Sequence, residues 1–328
     1  MLSAAAPWDR IDLDGYRGPM AVPDPLAPPD AGPGAPLHAG PGAGPGAVLD
    51  AEVVARFGRD GYVRTDGLLD RAEVERYGSA IDRAVADRTV GDRRALVDKS
   101  AYEQSFVQCM RLWETDDDVR PLTFHPTLAR AAAELLGVEA VRLWQDQALY
   151  KEPGGRPTDP HQDAPFWPIG DAPLISAWIP LAPSTEANGA LGYVPGSHRL
   201  GRLRTVDLTR PDVAHDILAD PALDGGRPVT VEAEVGSVVW HHGWTVHGAG
   251  PNTTDTTRRA FTIVYLADGY RRAKPWPNFP LDRAEVEVGA PMEGDGLPLA
   301  WPRPDGDLPD PPDRRGEPTG PQQHVTPS

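Results

Sequence analysis

Leu174-Ile175-Ser176-Ala177-Trp178-Ile179-Pro180-Leu181 is an apolar run of eight residues, too short for a buried helix and rich in side chains that favour a pleated surface. It reads as a strand. Val141-Arg142-Leu143-Trp144, Gly236-Ser237-Val238-Val239-Trp240 and Phe261-Thr262-Ile263-Val264-Tyr265-Leu266 have the same character, each bounded by Gly, Pro, Asp or Asn. From about Ala140 onward the chain therefore reads as short strands. Upstream the apolar period is helical. Ala51–Phe57 predicts a short helix capped by Asp50, followed by a candidate strand at Gly61-Tyr62-Val63-Arg64. Asp70-Arg71-Ala72-Glu73 is an acidic variant of the capping box, with Val74, Tyr77, Ile81, Ala84 and Val85 at helical spacing behind it. Thr127–Leu136 predicts a third helix, ended by Gly137. Helices first and short strands later predict an α+β domain with a β-sandwich or jelly-roll core and flanking N-terminal helices.

The two ends read differently. Residues 20–47 are low in complexity, with repeated Gly-Pro-Gly-Ala, and cannot bury enough apolar surface to offset the entropy of ordering. The expected organisation is a tail at 1–47, a domain at 48–302 and a Pro/Asp-rich tail at 303–328. Pro (38) and Gly (34) together exceed a fifth of the 328 residues, which fits unstructured or loop-rich segments. The net charge of −16 argues against nucleic acid as the main partner, since such a chain neutralises phosphates poorly. The single cysteine, Cys109, excludes an internal disulfide and is expected to be a buried small hydrophobe. No signal peptide or stretch of about 20 apolar residues is evident, so no membrane contact is expected and the cytoplasm is the expected compartment.

The chemistry is carried by Asp159-Pro160-His161-Gln162-Asp163. In an extended strand, residues two apart face the same way, so His161 and Asp163 can present an imidazole and a carboxylate to one metal. Two histidines, one carboxylate and open positions are the donor set of non-haem Fe(II) oxygenases. The second histidine must come from a distant strand, and Trp240-His241-His242-Gly243-Trp244-Thr245-Val246-His247 offers three candidates. Arg258 follows His247 by eleven residues and has Arg259 beside it. A guanidinium near the metal suits the far carboxylate of a chelating keto acid, because its planar fork pairs with both oxygens.

Several linked motifs between Gln145 and Leu266 resemble the phytanoyl-CoA dioxygenase family of Fe(II)/2-oxoglutarate oxygenases. They are Lys151-Glu152-Pro153-Gly154, Pro160-His161-Gln162-Asp163-Ala164-Pro165-Phe166-Trp167, Ala177-Trp178-Ile179-Pro180-Leu181, Asn188-Gly189-Ala190-Leu191, Val194-Pro195-Gly196-Ser197-His198, His247-Gly248-Ala249-Gly250-Pro251-Asn252 and Arg258-Arg259-Ala260. Weaker likeness extends from about Val53 to Pro302. The resemblance implies a double-stranded β-helix (jelly-roll, cupin-like) core. It implies His161, Asp163 and His247 as iron ligands and Arg258 on the cofactor carboxylate. Gln147 and Trp178 fall where family members line the cofactor or substrate pocket. His241 and His242 become supporting or structural residues. Related halogenases carry a small residue in place of the iron carboxylate, so Asp163 implies hydroxylation or another oxidative outcome in preference to halogenation. The residues after Asp163 depart from the ectoine hydroxylase subgroup, and ectoine is not expected as substrate.

The expected cofactors are Fe(II) and 2-oxoglutarate, with O₂ as co-substrate and succinate and CO₂ as products. The expected partner is a small-molecule substrate, with natural-product tailoring favoured by analogy with the family's biosynthetic members. Two other classes fit parts of the pattern. One is a non-catalytic β-sandwich sensor that binds metal or ligand without turnover; the other is a zinc hydrolase using His241, His242 or His247. The oligomeric state is not legible.

Overall fold

The computed structural model describes residues 47–210, 214–303 and 308–312. Nearly all of the two expected tails lies outside them. The helices α1 (Ala51–Asp60), α2 (Arg71–Thr89), α3 (Ala101–Ser105), α4 (Arg120–Thr123) and α5 (Pro126–Leu136) come first, with β1 (Tyr62–Asp66) and β2 (Val107–Met110) between them. Then follow β3 (Val141–Lys151), β4 (Thr158–His161), β5 (Leu174–Pro180), β6 (Leu191–Tyr193), β7 (Val229–Thr230), β8 (Ser237–His242), β9 (His247–Ala249) and β10 (Arg258–Ala267). A short α6 (Phe279–Arg283) and β11 (Leu299–Trp301) complete the set.

The strands form two antiparallel sheets. The larger runs β1-β8-β5-β10-β3-β11, with β2 also paired to β3; the smaller runs β4-β9-β6-β7. Past β3 the chain crosses repeatedly between them, since β3, β5, β8 and β10 lie in one and β4, β6 and β9 in the other. This is the jelly-roll core flanked by N-terminal helices that the sequence predicts.

β5 shows why the strands read as continuous apolar runs. All seven of its residues are buried. Ile175, Ala177 and Ile179 join the core formed with Val74, Ile81, Leu128 and Leu135 of α2 and α5. Leu174 and Trp178 alternate with them and belong to clusters on the other side of the sheet. A strand covered on both faces loses the polar alternation of a half-exposed one.

The helices follow the local rules in part. Asp70 and Glu73 form the expected reciprocal capping box, and Gly137 ends α5 at φ 66°, in the left-handed region that favours glycine. Asp50 stands at the N-cap of α1, but its side chain makes no cap hydrogen bond. Its main-chain carbonyl accepts from Val53 and Val54, while the Glu134 carboxylate takes the amides of Val48 and Leu49 just before it. Cys109 is fully buried, and burial pushes its thiol up to about 11. No described helix is long and apolar enough to cross a membrane.

Candidate active site

Paired strands of the smaller sheet place the two expected histidines. His161 ends β4, opposite His247 at the start of β9, with ring centroids 4.5 Å apart. Their Nε2 atoms lie 3.5 and 3.7 Å from Asp163 Oδ1. One ligating atom from each of the three residues lies within 4.8 Å of the others, a spacing that a single metal ion can span. Asp163 does not reach this position as expected. It stands beyond the strand, at φ −76° and ψ −47°, opening a single 3₁₀ turn over Ala164–Phe166. Its amide and that of Ala164 both donate to the Gly243 carbonyl, so a turn replaces strand alternation as the orienting device.

Both imidazoles are fixed for ligation. His161 Nδ1 lies 2.8 Å from the Asp159 carbonyl oxygen, and His247 Nδ1 lies 3.0 Å from that of Thr245. A carbonyl only accepts, so each Nδ1 carries the proton and each Nε2 offers its lone pair beside Asp163. Burial pushes His247 down to about 3, which keeps it neutral. Burial alone would raise the Asp163 carboxyl; donation from the surrounding imidazoles, which His241 Nε2 can make while His161 and His247 stay neutral, holds it below the usual carboxylate range.

His241 was not singled out among its neighbours by the sequence pattern. It enters from β8 of the larger sheet, with Nε2 3.2 Å from Asp163 Oδ2 and Nδ1 3.4 Å from the Tyr193 hydroxyl. Ser176 Oγ stands 3.5 Å from the same Asp163 oxygen. One carboxylate oxygen is thus engaged by His241 and Ser176, while the other faces His161 and His247. His242 points the opposite way, toward Phe57 and His198, and accepts the Trp244 amide at Nδ1. Adjacent strand residues face opposite sides, so only one of this pair reaches the site.

Arg258 begins β10 in the larger sheet, across the core from β9 and not hairpin-paired with it. It is 3% exposed and packs 5.3 Å from the Trp178 ring. Its Nε and Nη1 are buried with no hydrogen-bond partner, and the same holds for Trp178 Nε1 and Thr262 Oγ1. Thr262 pairs in register with both Trp178 and Gln147. The Gln147 side-chain oxygen accepts Gln108 Nε2 at 2.6 Å, and Gln108 in turn accepts the Tyr102 hydroxyl at 3.1 Å. Burial lowers Arg258 to about 10 and Lys151, its partner in register, to about 7. Buried donors without acceptors are costly, and a buried cation without an anion more so. The donor set fits Fe(II), and the unanswered guanidinium fits a carboxylate such as that of 2-oxoglutarate.

The phytanoyl-CoA dioxygenase family model matches residues 57–260, more than half of the chain, including His161, Asp163, His247 and Arg258. The chain belongs to that family. Among curated relatives it is 34% identical to a probable alpha-ketoglutarate-dependent hypophosphite dioxygenase of Stutzerimonas stutzeri, over 42% of this chain and 48% of that protein. It is 29% identical to a phytanoyl-CoA dioxygenase of Arabidopsis thaliana, over 50% of this chain and 58% of that one. The chain thus spans about half the length of these two curated relatives. Solved structures align more fully. The non-heme alpha ketoglutarate-dependent carbocyclase SnoK from nogalamycin biosynthesis has a TM-score of 0.64 at 27% identity, covering 78% of this chain and 99% of its own. The epimerase SnoN, solved with Fe3+, alpha ketoglutarate and nogalamycin RO, has a TM-score of 0.61 at 28% identity, covering 76% and 97%.

Proposed function

We propose that the protein is an Fe(II)- and 2-oxoglutarate-dependent dioxygenase that hydroxylates a small molecule, with His161, Asp163 and His247 as the metal ligands. The observation that carries this reading is the pairing of a two-histidine, one-carboxylate cluster with a buried, unanswered Arg258. Metal with no keto acid would leave the guanidinium without purpose, and a zinc hydrolase has no use for it. When bound, iron with 2-oxoglutarate supplies oxidative chemistry in which O₂ is consumed, succinate and CO₂ are released and the substrate is oxidised.

The remaining work falls to the chain itself. Arg258 grips the distal carboxylate of the keto acid, and the Trp178 ring packs beside that guanidinium. Gln147, held by the Tyr102–Gln108 hydrogen bonds, presents its amide toward the same pocket. His241 and Ser176 hold one Asp163 oxygen so that the other stays turned to the imidazoles. The two sheets exclude water from this volume, which strengthens each charged contact.

Natural-product tailoring is supported by the likeness to SnoK and SnoN, both tied to nogalamycin. One of them is a carbocyclase and the other an epimerase, which favours a second outcome: substrate oxidation that ends in ring closure or inversion. The lone buried cysteine supports a cytoplasmic setting.

The test compares metabolite mixtures with and without protein, Fe(II) and 2-oxoglutarate. We expect succinate to form with Fe(II) but not Zn(II), together with a product 16 mass units heavier than its precursor. A product of unchanged mass, or two units lighter, selects the second outcome. Absence of succinate with every substrate that binds leaves a sensor.

A further inference from the structure

In a chain with 48 acidic against 32 basic side chains, cations readily find carboxylates. Arg202 and Lys274 do not. Neither forms an ion pair among the described residues, and Arg202 donates only a long 3.4 Å hydrogen bond from Nη2 to Thr205 Oγ1. Instead both lie against one indole. Lys274 Nζ is 4.1 Å from the Trp276 ring centroid, and the Arg202 guanidinium carbon is 5.8 Å from it. Asp171 acts on both charges through space but pairs with neither. Burial and the neighbouring Arg202 push Lys274 down to about 8. Two like charges are thus held against one indole, Arg202 exposed and Lys274 half-buried, with Asp171 as the nearby anion that forms an ion pair with neither.

Their position is set by the metal-binding turn. Gln162 sits in the chain between His161 and Asp163. Its Nε2 donates to the Gly201 carbonyl at 2.7 Å and its Oε1 accepts the Leu203 amide at 2.9 Å, which clamps the residues on either side of Arg202. The segment after Asp163 holds the other arm, since the Ala273 amide donates to the Pro168 carbonyl at 2.8 Å. Phe166, on the segment that joins Asp163 to Pro168, is exposed, with its ring 6.1 Å from that of His161. Both arms are thus tied to the segment that carries His161 and Asp163.

We propose that Arg202, Lys274 and Trp276 form a substrate subsite at the rim of the active site that binds an anionic group, a carboxylate or a phosphate. Calling the ligand a substrate rests on the dioxygenase reading; the anion site itself does not. The two cations hold the charge, and the indole and Phe166 offer apolar faces to the carbon skeleton beside it. The subsite selects substrates by charge at a distance from the carbon that is oxidised.

The chain has three lysines, which makes the test selective. Lys99 is paired with Glu152 at 2.7 Å, and Lys151 is fully buried. Full-length protein would carry ¹³C-methyl groups on its accessible amines. Loading it with Zn(II) and 2-oxoglutarate keeps the sample diamagnetic and fills the Arg258 pocket. Benzoate, inorganic phosphate and neutral benzamide are then titrated while the Lys274 methyl resonance is followed. We expect a saturable shift with benzoate, phosphate or both, and none with benzamide. The stronger of the two anions identifies the group. Arg202→Gln should weaken the response tenfold or more, and Trp276→Leu should weaken benzoate more than phosphate. An unsaturable drift shared with Lys99, or equal affinity in Arg202→Gln, overturns the subsite and leaves two cations packed on an indole. A Lys274 response in a protein that never forms succinate keeps the subsite and removes the dioxygenase reading. Succinate formation with a silent Lys274 does the reverse.

Discussion

Arg258 and Arg259 are neighbours in sequence and opposites in space. Arg258 faces the core between the sheets, while Arg259 pairs with Asp82 of α2 on the outer side. A hydrogen bond to a charged group is worth about 1.5–3 kcal/mol, so Arg258→Ala should weaken 2-oxoglutarate binding roughly ten- to a hundredfold. Arg258→Lys should recover only part of this, because a point charge cannot reproduce the planar fork. Calorimetric titration of both variants beside Arg259→Ala checks the assignment, and a larger loss at Arg259 would overturn it. The histidines divide in the same manner. His247→Ala should remove most of the Fe(II) affinity. His241→Ala should cost about ten- to a hundredfold, because a group that orients a ligand matters less than the ligand. His242→Ala should leave affinity unchanged, since that ring faces α1; equilibrium dialysis with Fe(II) ranks the three. The residue types and their order were legible in the sequence. The turn at Asp163 and the contact of His241 with it were not, because both depend on the Gly243 carbonyl and on a strand of the other sheet.

The elements best read in advance were those with strong local signals. α2 announced itself through its capping box, α5 through its period and Gly137, and β5 and β10 through long apolar runs. The three-residue strands β6, β9 and β11 carry too few side chains to show a period, and they exist because a neighbour pairs with them. β3 runs on to Lys151, well past Trp144, because β10 and β2 pair along it where its own sequence turns polar. Two stability predictions belong at this scale. Leu128 of α5 is fully buried against the larger sheet. Leu128→Ala should therefore cost about 2–5 kcal/mol, measured by denaturant titration, and a cost near zero would place α5 outside the core. Asp146 on β3 is also fully buried, accepting the Trp113 amide at 3.0 Å and the Thr123 hydroxyl at 2.7 Å. Burial raises its carboxyl to about 6. The folded state thus keeps a proton that the unfolded chain releases near pH 4, and the associated stability is present below that pH and lost as pH rises through 6. A two-unit shift corresponds to at most about 3 kcal/mol. Asp146→Asn should remove this part of the pH dependence, so the stability of wild type relative to the variant should fall between pH 4 and 6. A flat difference across that window would mean that Asp146 is ionised in the fold.

At the scale of the whole molecule, the jelly roll brings together residues that are nearly a hundred positions apart, from His161 to Arg258, and the helices seal its outer face. The sequence pattern predicted that division because helical and strand periods occupy different halves of the chain. From the Pro/Gly composition of residues 1–47 we expect that they take no part in the chemistry. The join at residue 48 makes this testable without disturbing the core. Val48 and Leu49 donate their amides to the Glu134 carboxylate at 3.0–3.1 Å, and Leu49 is buried. In a protein starting at Val48, the new α-ammonium replaces the Val48 amide as donor, and an ammonium beside a carboxylate is a stronger partner than a neutral amide. The shortened chain should therefore keep its melting temperature, its Fe(II) and 2-oxoglutarate affinities and its rate of succinate formation. Adding Glu134→Ala should lower the melting temperature without changing the affinities, because Glu134 anchors the start of the fold and touches nothing in the site. A tenfold loss of turnover with unchanged melting temperature would mean that the first 47 residues contribute to the active site, and the domain boundary would then have to move toward the N-terminus.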